Sequence, residues 1–405
     1  MKILVINQHT SNHGDESALK GLISSLSKEK NIEEIGLLYN SAHELDNSEI
    51  LMVDTGNVKL THHLPLPLNI FDKLLIRVSL LIPLCLLKHI LKFSVLGHEL
   101  EIMSFYDLII NAPGGVNIGP YMDWRYLWRL SVSLKLKKKL GIFAISIGPF
   151  PENILFTYVA KKVLLGVDFI SLRDKKSQGY AAEVGIRYFP TIDSAFLDAG
   201  IEKDLPAGLK VLLQKPYVVI VPNELYRWHP YFKNINPASL DNIYIEITNF
   251  FIKENCNVVY LPQLFGPVNN DKKYFEFLKL KTNNPAAITV VDDAYNSDIQ
   301  QNIVKNAEFL VGARYHSIIF SIHNGVPFFA LSYEHKILEM LELLNFRNYG
   351  LDIKDSLNER VDVVQEMKKV YEVRHLNKDI IKQGSEVASN IAGNAYSQFS
   401  NKFFS

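Results

Sequence analysis

The stretch FLVGARYHSIIFSIHNGVPFFAL, residues 309–331, holds the key to the fold. Residues 309–311 read as a buried strand, 317–323 carry apolar side chains at helical spacing, and Asn324-Gly325 supplies a helix stop. Residues 326–331 read as a second buried strand. Strand, helix, strand is the unit of a parallel sheet covered by helices. It puts Arg314 and His316 where a strand's carboxyl end meets a helix's amino end, the place where open α/β sheets bind ligands. Unpaired N–H groups and the helix dipole favour an anion there. Arginine adds a permanent charge with a bidentate fork, and histidine a group that moves a proton near neutral pH. A structural reading is also open, in which Arg314 pairs with a surface acid and His316 merely caps the helix.

Working outward, the same alternation recurs. In the first half 3–6, 35–39, 108–111, 143–147 and 169–171 read as strands, with helices at 17–26 and 126–140. In the second half 218–221, 258–261 and 288–291 read as strands and 240–253, 274–280 and 298–305 as helices. A polar segment at 198–215 with Pro206 and Gly208 is the natural linker. The fold class expected is α/β, with two Rossmann-like doubly wound domains facing a cleft: 1–200, 215–350, and a charged helical extension at 351–405 that packs back across them. A chain of 405 residues exceeds one ordinary core, which agrees with two domains.

Lys plus Arg and Asp plus Glu balance at 43 each, so no basic excess points to a nucleic-acid partner. Cys85 and Cys256 are the only cysteines, too few for a disulfide framework or a thiolate zinc site, and they fit a reducing cytoplasm. Met1-Lys2 runs directly into an apolar strand with no secretory signal pattern. Residues 74–96 are very apolar but interrupted by Arg77, Pro83, Lys88, His89 and Lys92, which argues against a spanning helix. Two settings suit them: a buried helical hairpin broken at Pro83, or peripheral contact with a membrane surface.

Several other strand ends carry polar residues. After the first strand, residues 12–16 (Asn-His-Gly-Asp-Glu) match neither a dinucleotide fingerprint nor a Walker loop. Asp15 would cap a helix beginning near Glu16, or Asn12 to Glu16 would meet an acceptor's hydroxyls. Gly114 and Gly115 follow the strand at 108–111 and bring backbone amides close to a ligand, or simply allow a turn. Arg173 stands at a strand end like Arg314, so two arginines could grip one anionic ligand, with an Arg173–Asp174 surface cluster as the plainer reading. Asp193 reads as a turn or helix cap. Asn223, Arg227, His229 and Gln263 follow strands of the second half, and Lys336 begins a helix after the last.

Together, residues 12–16, Pro113-Gly114-Gly115, the segment SLRDKKS at 171–177 and GARYHSIIFSIHNGVPFFALSYEHK at 312–336 resemble the polysaccharide pyruvyl transferase family, over residues 1 to about 345. Tyr315 stands where the family commonly has Leu, and Tyr333-Glu334-His335-Lys336 where it has Tyr-Asp-x-Lys. The resemblance implies a GT-B-like arrangement and transfer of a pyruvyl group from phosphoenolpyruvate to two sugar hydroxyls, forming a ketal in exopolysaccharide or capsule synthesis. Carried onto this sequence, it makes His316 and Asp15 the acid–base candidates and Arg173, Arg314, Tyr315 and Lys336 the donor-binding set. Asn12, Glu16, Gly114, Gly115, Asn223 and Gln263 form the acceptor-binding set. No cofactor or metal is expected beyond phosphoenolpyruvate as substrate. The acceptor expected is a sugar, with a polyprenyl-linked oligosaccharide among its forms, and the setting is cytoplasmic with the inner membrane face as a variant. A GT-B nucleotide-sugar glycosyltransferase, with Glu334 on the donor ribose, and a non-catalytic carbohydrate-binding relative are the competing readings.

Overall fold

The structure, a computed structural model, describes the whole chain except residues 10, 41–52, 93, 116, 201–204, 213–214, 267–269, 293–294 and 359. It divides into two compact units. The first comprises Met1–Thr10, Asp15–Asp198 and Asn390–Ser405, and the second Ser11–Gly14 and Ala199–Ser389.

The first unit is built on a parallel sheet of β1 (Lys2–Gln8), β2 (Glu34–Tyr39), β3 (Lys59–His63), β4 (Leu108–Asn111), β5 (Lys139–Ile145), β6 (Phe169–Leu172) and β7 (Phe189–Pro190). Their order is β3-β2-β1-β4-β5-β6-β7. The central strands are apolar on both faces because helices cover both. Ile3 and Val5 join one core with Leu22, Phe143 and Phe399, whereas Leu4 and Ile6 join the other with Leu127, Trp128 and Phe156. This is the two-residue period of a strand. Gly141 leaves room for the C-terminal helix Arg374–Phe403, since a β-carbon there would fall 2.7 Å from a ring carbon of Phe399.

Buried charges organise the same unit. Glu99 accepts hydrogen bonds from Arg125 and Arg129, and the fully buried Arg129 also reaches the Asn7 side chain at 3.3 Å and the Tyr39 carbonyl at 3.0 Å. Asn7, at the end of β1, takes a left-handed φ of 66° and donates to Asn111 at 2.9 Å.

The second unit repeats the plan with β8 (Tyr217–Val221), β9 (Asn257–Tyr260), β10 (Ile288–Val290), β11 (Phe309–Gly312), β12 (Phe328–Ser332) and β13 (Gly350–Asp352). All pairs are parallel and the order is β10-β9-β8-β11-β12-β13.

Three sequence expectations shift. The helix expected over 126–140 is Trp124–Lys135, because Lys137 turns the chain with φ 55° and β5 begins at Lys139. The first helix spans His13–Leu26 and starts earlier than expected: Asn12, not Asp15, is its cap, its side chain accepting from the Gly14 N–H at 2.9 Å. The linker at 198–215 contains a short helix, Ala207–Leu212, while 201–204 and 213–214 lie outside the described residues. Residues 74–96 form helices Ile70–Ser79 and Leu84–Leu91 and the start of Val95–Phe105, with 93 outside the described residues. No described helix is long and apolar enough to cross a membrane.

Candidate functional site

Each sheet reverses its winding once. In the first unit the reversal lies between β1 and β4, and in the second between β8 and β11. Ligands of open α/β sheets bind beyond the carboxyl ends of such a pair.

At the first unit's reversal, Gly114 adopts φ 157°, and a β-carbon on it would stand 3.9 Å from the Asp15 carboxylate. A β-carbon on Gly115 would meet no described atom within 4 Å, so this backbone borders open space. Asp15 and Glu16 both occupy the first turn of helix His13–Leu26, where the dipole favours carboxylates. Asp15, Glu16, Gly114 and Gly115 therefore share the reversal of the first sheet. Arg173 directly follows β6 and is buried. It pairs with Asp193 and donates from Nε to Ser146 Oγ at 3.0 Å, inside the unit rather than in a surface cluster with Asp174. Asp193 also caps the short helix Ser194–Leu197, accepting from the Ala195 N–H at 2.9 Å. Asp174 caps Lys175–Val184.

The second unit's reversal is more elaborate. Arg314 is the cap residue of helix Tyr315–His323, with extended backbone and no side-chain capping bond. The guanidinium is buried, pairs with Asp271 and lies over the Trp228 ring at 5.8 Å. Its Nε is buried and has no acceptor among the described residues. Asp271 is equally engaged: its other oxygen accepts from the Gln263 and Leu264 N–H groups at 3.0 and 2.9 Å. One carboxylate thus fixes both the arginine and the loop after β9.

Asn223 holds this arrangement from beneath. Its amide donates to the Ala313 carbonyl at 3.0 Å and accepts from Trp228 Nε1 at 3.0 Å. Both ends of the side chain are used, and they set the backbone before Arg314 and the ring under it. Gln263 donates to Gln300 Oε1 at 2.6 Å, and its own buried Oε1 has no donor among the described residues.

The turn Ser11–Gly14 packs onto the same loop. The His13 N–H donates to the Gln263 carbonyl at 3.1 Å, the Phe265 N–H donates to the Ser11 carbonyl at 3.2 Å, and the His13 and Phe265 rings stack at 4.2 Å. Gly14 then lies against the imidazole of His316.

On the far side of the helix start, Lys336 pairs with Glu334 at 2.8 Å and stands 5.5 Å from the Tyr315 ring centre. Glu334 also accepts from His229 Nε2 at 3.1 Å, while His229 Nδ1 accepts from the Tyr231 N–H at 3.4 Å, which is the Nε2-protonated tautomer. Burial by itself would raise the Glu334 carboxyl, but the Lys336 charge and the bonds from His229 and Lys336 outweigh it and hold it well below the usual carboxylate range. Arg314, Tyr315, His316 and Lys336 therefore form one group, with Asn12, Asn223 and Gln263 arranged around it. The set can hold an anion and can move a proton beside it.

Three residues of this group escape a sequence reading. Asp271 looks like a helix-start residue after Asn270, Trp228 like a loop aromatic, and Gln300 like one polar position of an amphipathic helix. Nothing local signals that they turn toward Arg314 and Gln263.

The family model for polysaccharide pyruvyl transferase matches residues 12–335. The chain belongs to the polysaccharide pyruvyl transferase family. Membership places it among transferases of polysaccharide biosynthesis. The pyruvyl transferase match opens on Asn12 and ends one residue before Lys336, so it takes in both reversals. A curated relative, the amylovoran biosynthesis protein AmsJ of Erwinia amylovora, is 25% identical over 389 residues, covering 88% of this chain and 89% of that protein. Among solved structures, MnaA of S. aureus with UDP superposes with a TM-score of 0.59 at 12% identity, covering 100% of this chain and 98% of the other. The UDP-GlcNAc 2-epimerase of Neisseria meningitidis bound to UDP-GlcNAc gives 0.58 at 11% identity, covering 98% and 100%. At such identities the likeness concerns the fold alone, the GT-B type with two Rossmann-like units.

Proposed function

We propose that this pyruvyl transferase family member moves a pyruvyl group from phosphoenolpyruvate to two hydroxyls of a sugar, forming a cyclic ketal and releasing phosphate, in exopolysaccharide or capsule synthesis. The observation that carries this reading is Arg314 and His316 at one helix start, with the buried Arg314 Nε short of an acceptor among the described residues. An anionic donor would satisfy that group.

In this proposal Arg314 and Lys336 hold the donor's anionic groups and Tyr315 lines them, and Arg173 is also assigned to donor binding. A proton goes to the methylene carbon, which becomes a methyl group, and the enol carbon becomes electrophilic. The first sugar hydroxyl adds to that carbon. The carbon–oxygen bond to phosphate breaks as the second hydroxyl closes the ring. Two hydroxyl protons are released, one matching the proton gained by carbon and the other leaving with phosphate. His316 is the acid and Asp15 the base assigned to these transfers. Asn12, Glu16, Gly114 and Gly115 are assigned to the acceptor, with Asn223 and Gln263 framing it. The transfer is redox-neutral and calls for no redox cofactor, and the proposal assigns no metal. A polyprenyl-linked oligosaccharide at the inner membrane face is the form of acceptor we favour.

Purified protein incubated with phosphoenolpyruvate and candidate oligosaccharides tests this directly. Phosphate release that requires both substrates, with a ketal product seen by mass spectrometry, is the expected result. Turnover of a sugar nucleotide in place of phosphoenolpyruvate would overturn it in favour of glycosyl transfer, and binding without turnover of either would favour a non-catalytic relative.

A further inference from the structure

The first unit carries a surface that its fold does not explain. In residues 64–92 the helices Ile70–Ser79 and Leu84–Leu91 bury Leu75, Ile76, Leu87 and Leu91 against the unit. Their opposite face is apolar too: Ile70 is 87%, Phe71 62%, Leu74 55%, Leu81 63% and Leu86 55% exposed. Contiguous exposed apolar side chains of this size mark interaction sites.

The segment is built rather than frayed. Asn69 and Asp72 form a reciprocal capping box at its first helix. The Lys135 ammonium donates to the carbonyls of Ser79, Leu80 and Ile82 at 2.6, 3.1 and 2.7 Å, and Arg125 donates to the Leu66 carbonyl at 3.0 Å. Two cations from the helix beneath therefore hold the hairpin in place with its apolar side outward.

Its charges choose the partner. Lys73, Arg77, Lys88 and Lys92 are all exposed, while Asp72, the one acid in 64–92, is buried in the capping box. Protein interfaces are depleted in lysine at their cores, and a two-fold contact between copies of this face would set like charges together. An anionic lipid surface suits both features: apolar tips enter below the headgroups while lysine stems snorkel toward phosphate. The helices have 10 and 8 residues, too short to span, so they would lie in the interface plane. We infer that the outer face of residues 64–92 docks the protein on an anionic membrane surface. The inference rests on this surface alone and is independent of the reaction assigned to the family.

Sedimentation of the full chain with vesicles tests it, using phosphatidylcholine alone and phosphatidylcholine mixed with phosphatidylglycerol. Binding is expected only to the mixed vesicles and should weaken at high salt. Lys73→Gln with Lys88→Gln should lower partitioning roughly fivefold per side chain. Phe71→Ser, Leu74→Ser and Leu86→Ser together should remove it, with circular dichroism unchanged because these side chains are exposed. Equal binding to both vesicle types, undiminished binding by the triple variant, or no binding at all would overturn the inference. So would a concentration-dependent dimer in analytical ultracentrifugation that the triple variant abolishes without vesicle binding, which would assign the face to a second copy.

Discussion

Gly14 lies directly against His316: a β-carbon on Gly14 would fall 2.0 Å from Cγ and 2.1 Å from Nδ1 of the imidazole. Gly14 is not among the glycines with left-handed φ, so what this position demands is space rather than conformational freedom. The turn carrying Gly14 is itself fixed, by the Asn12 cap, the His13 N–H bond to Gln263 and the stack on Phe265. The ring of the proposed acid thus has a rigid wall on one side. Gly14→Ala should displace it and lower turnover about 100-fold, the usual cost of a displacement near 1 Å. Steady-state kinetics beside thermal unfolding checks this: a loss of kcat far larger than the accompanying fall in Tm accounts for is expected.

His316→Ala should nearly abolish ketal formation, by about 10²–10⁴-fold, because a positioned proton donor is lost. The fold should persist, since the helix Tyr315–His323 keeps its buried residues Ile318, Ile319 and Ile322. Wild-type turnover in this variant would remove His316 from the mechanism.

Arg314 and Asp271 should separate binding from support. Arg314→Lys keeps the charge but loses the planar fork, so KM for phosphoenolpyruvate should rise more than kcat falls. Asp271→Ala leaves a buried guanidinium without its partner and releases the Gln263 and Leu264 N–H groups, so it should destabilise the second unit by about 3–5 kcal/mol. Urea unfolding of both variants reads the difference.

Arg173 is held by Asp193 and Ser146 within the first unit. A role on the donor predicts that Arg173→Met raises KM for phosphoenolpyruvate well beyond what Asp193→Asn does. A purely internal role predicts equal losses of Tm and an unmoved KM. Parallel kinetics and unfolding on the two variants decide between them.

Glu99 should matter to stability and to its pH dependence. Burial alone would raise its carboxyl, but the charges and bonds of Arg129 and Arg125 outweigh that and hold it below its ordinary value of 4.5. A carboxyl lowered in the folded state contributes stability that is complete above the unfolded value and is lost as pH falls through the folded one. The wild type should therefore lose stability below about pH 4.5. Glu99→Gln should cost about 3–5 kcal/mol at neutral pH, leaving two buried guanidiniums uncompensated, and should show a shallower acid limb in urea titrations.

The chain's own pattern determined the alternation of strands and helices and the strand-end positions of Arg314, His316 and Arg173. It could do so because an apolar run buried on both faces, a helical repeat and an Asn-Gly stop are properties of neighbouring residues. The half-exposed edge strand Lys59–His63 carries no such run, and it was not legible. Tertiary structure alone decided what each charge meets: Asp271 is 43 residues from Arg314, and Asp193 is 20 from Arg173. It also decided that Asn12 caps its helix so that Gly14 seats the ring of His316. Such pairings depend on distance in space once the sheets are wound, and separation along the chain carries no record of it.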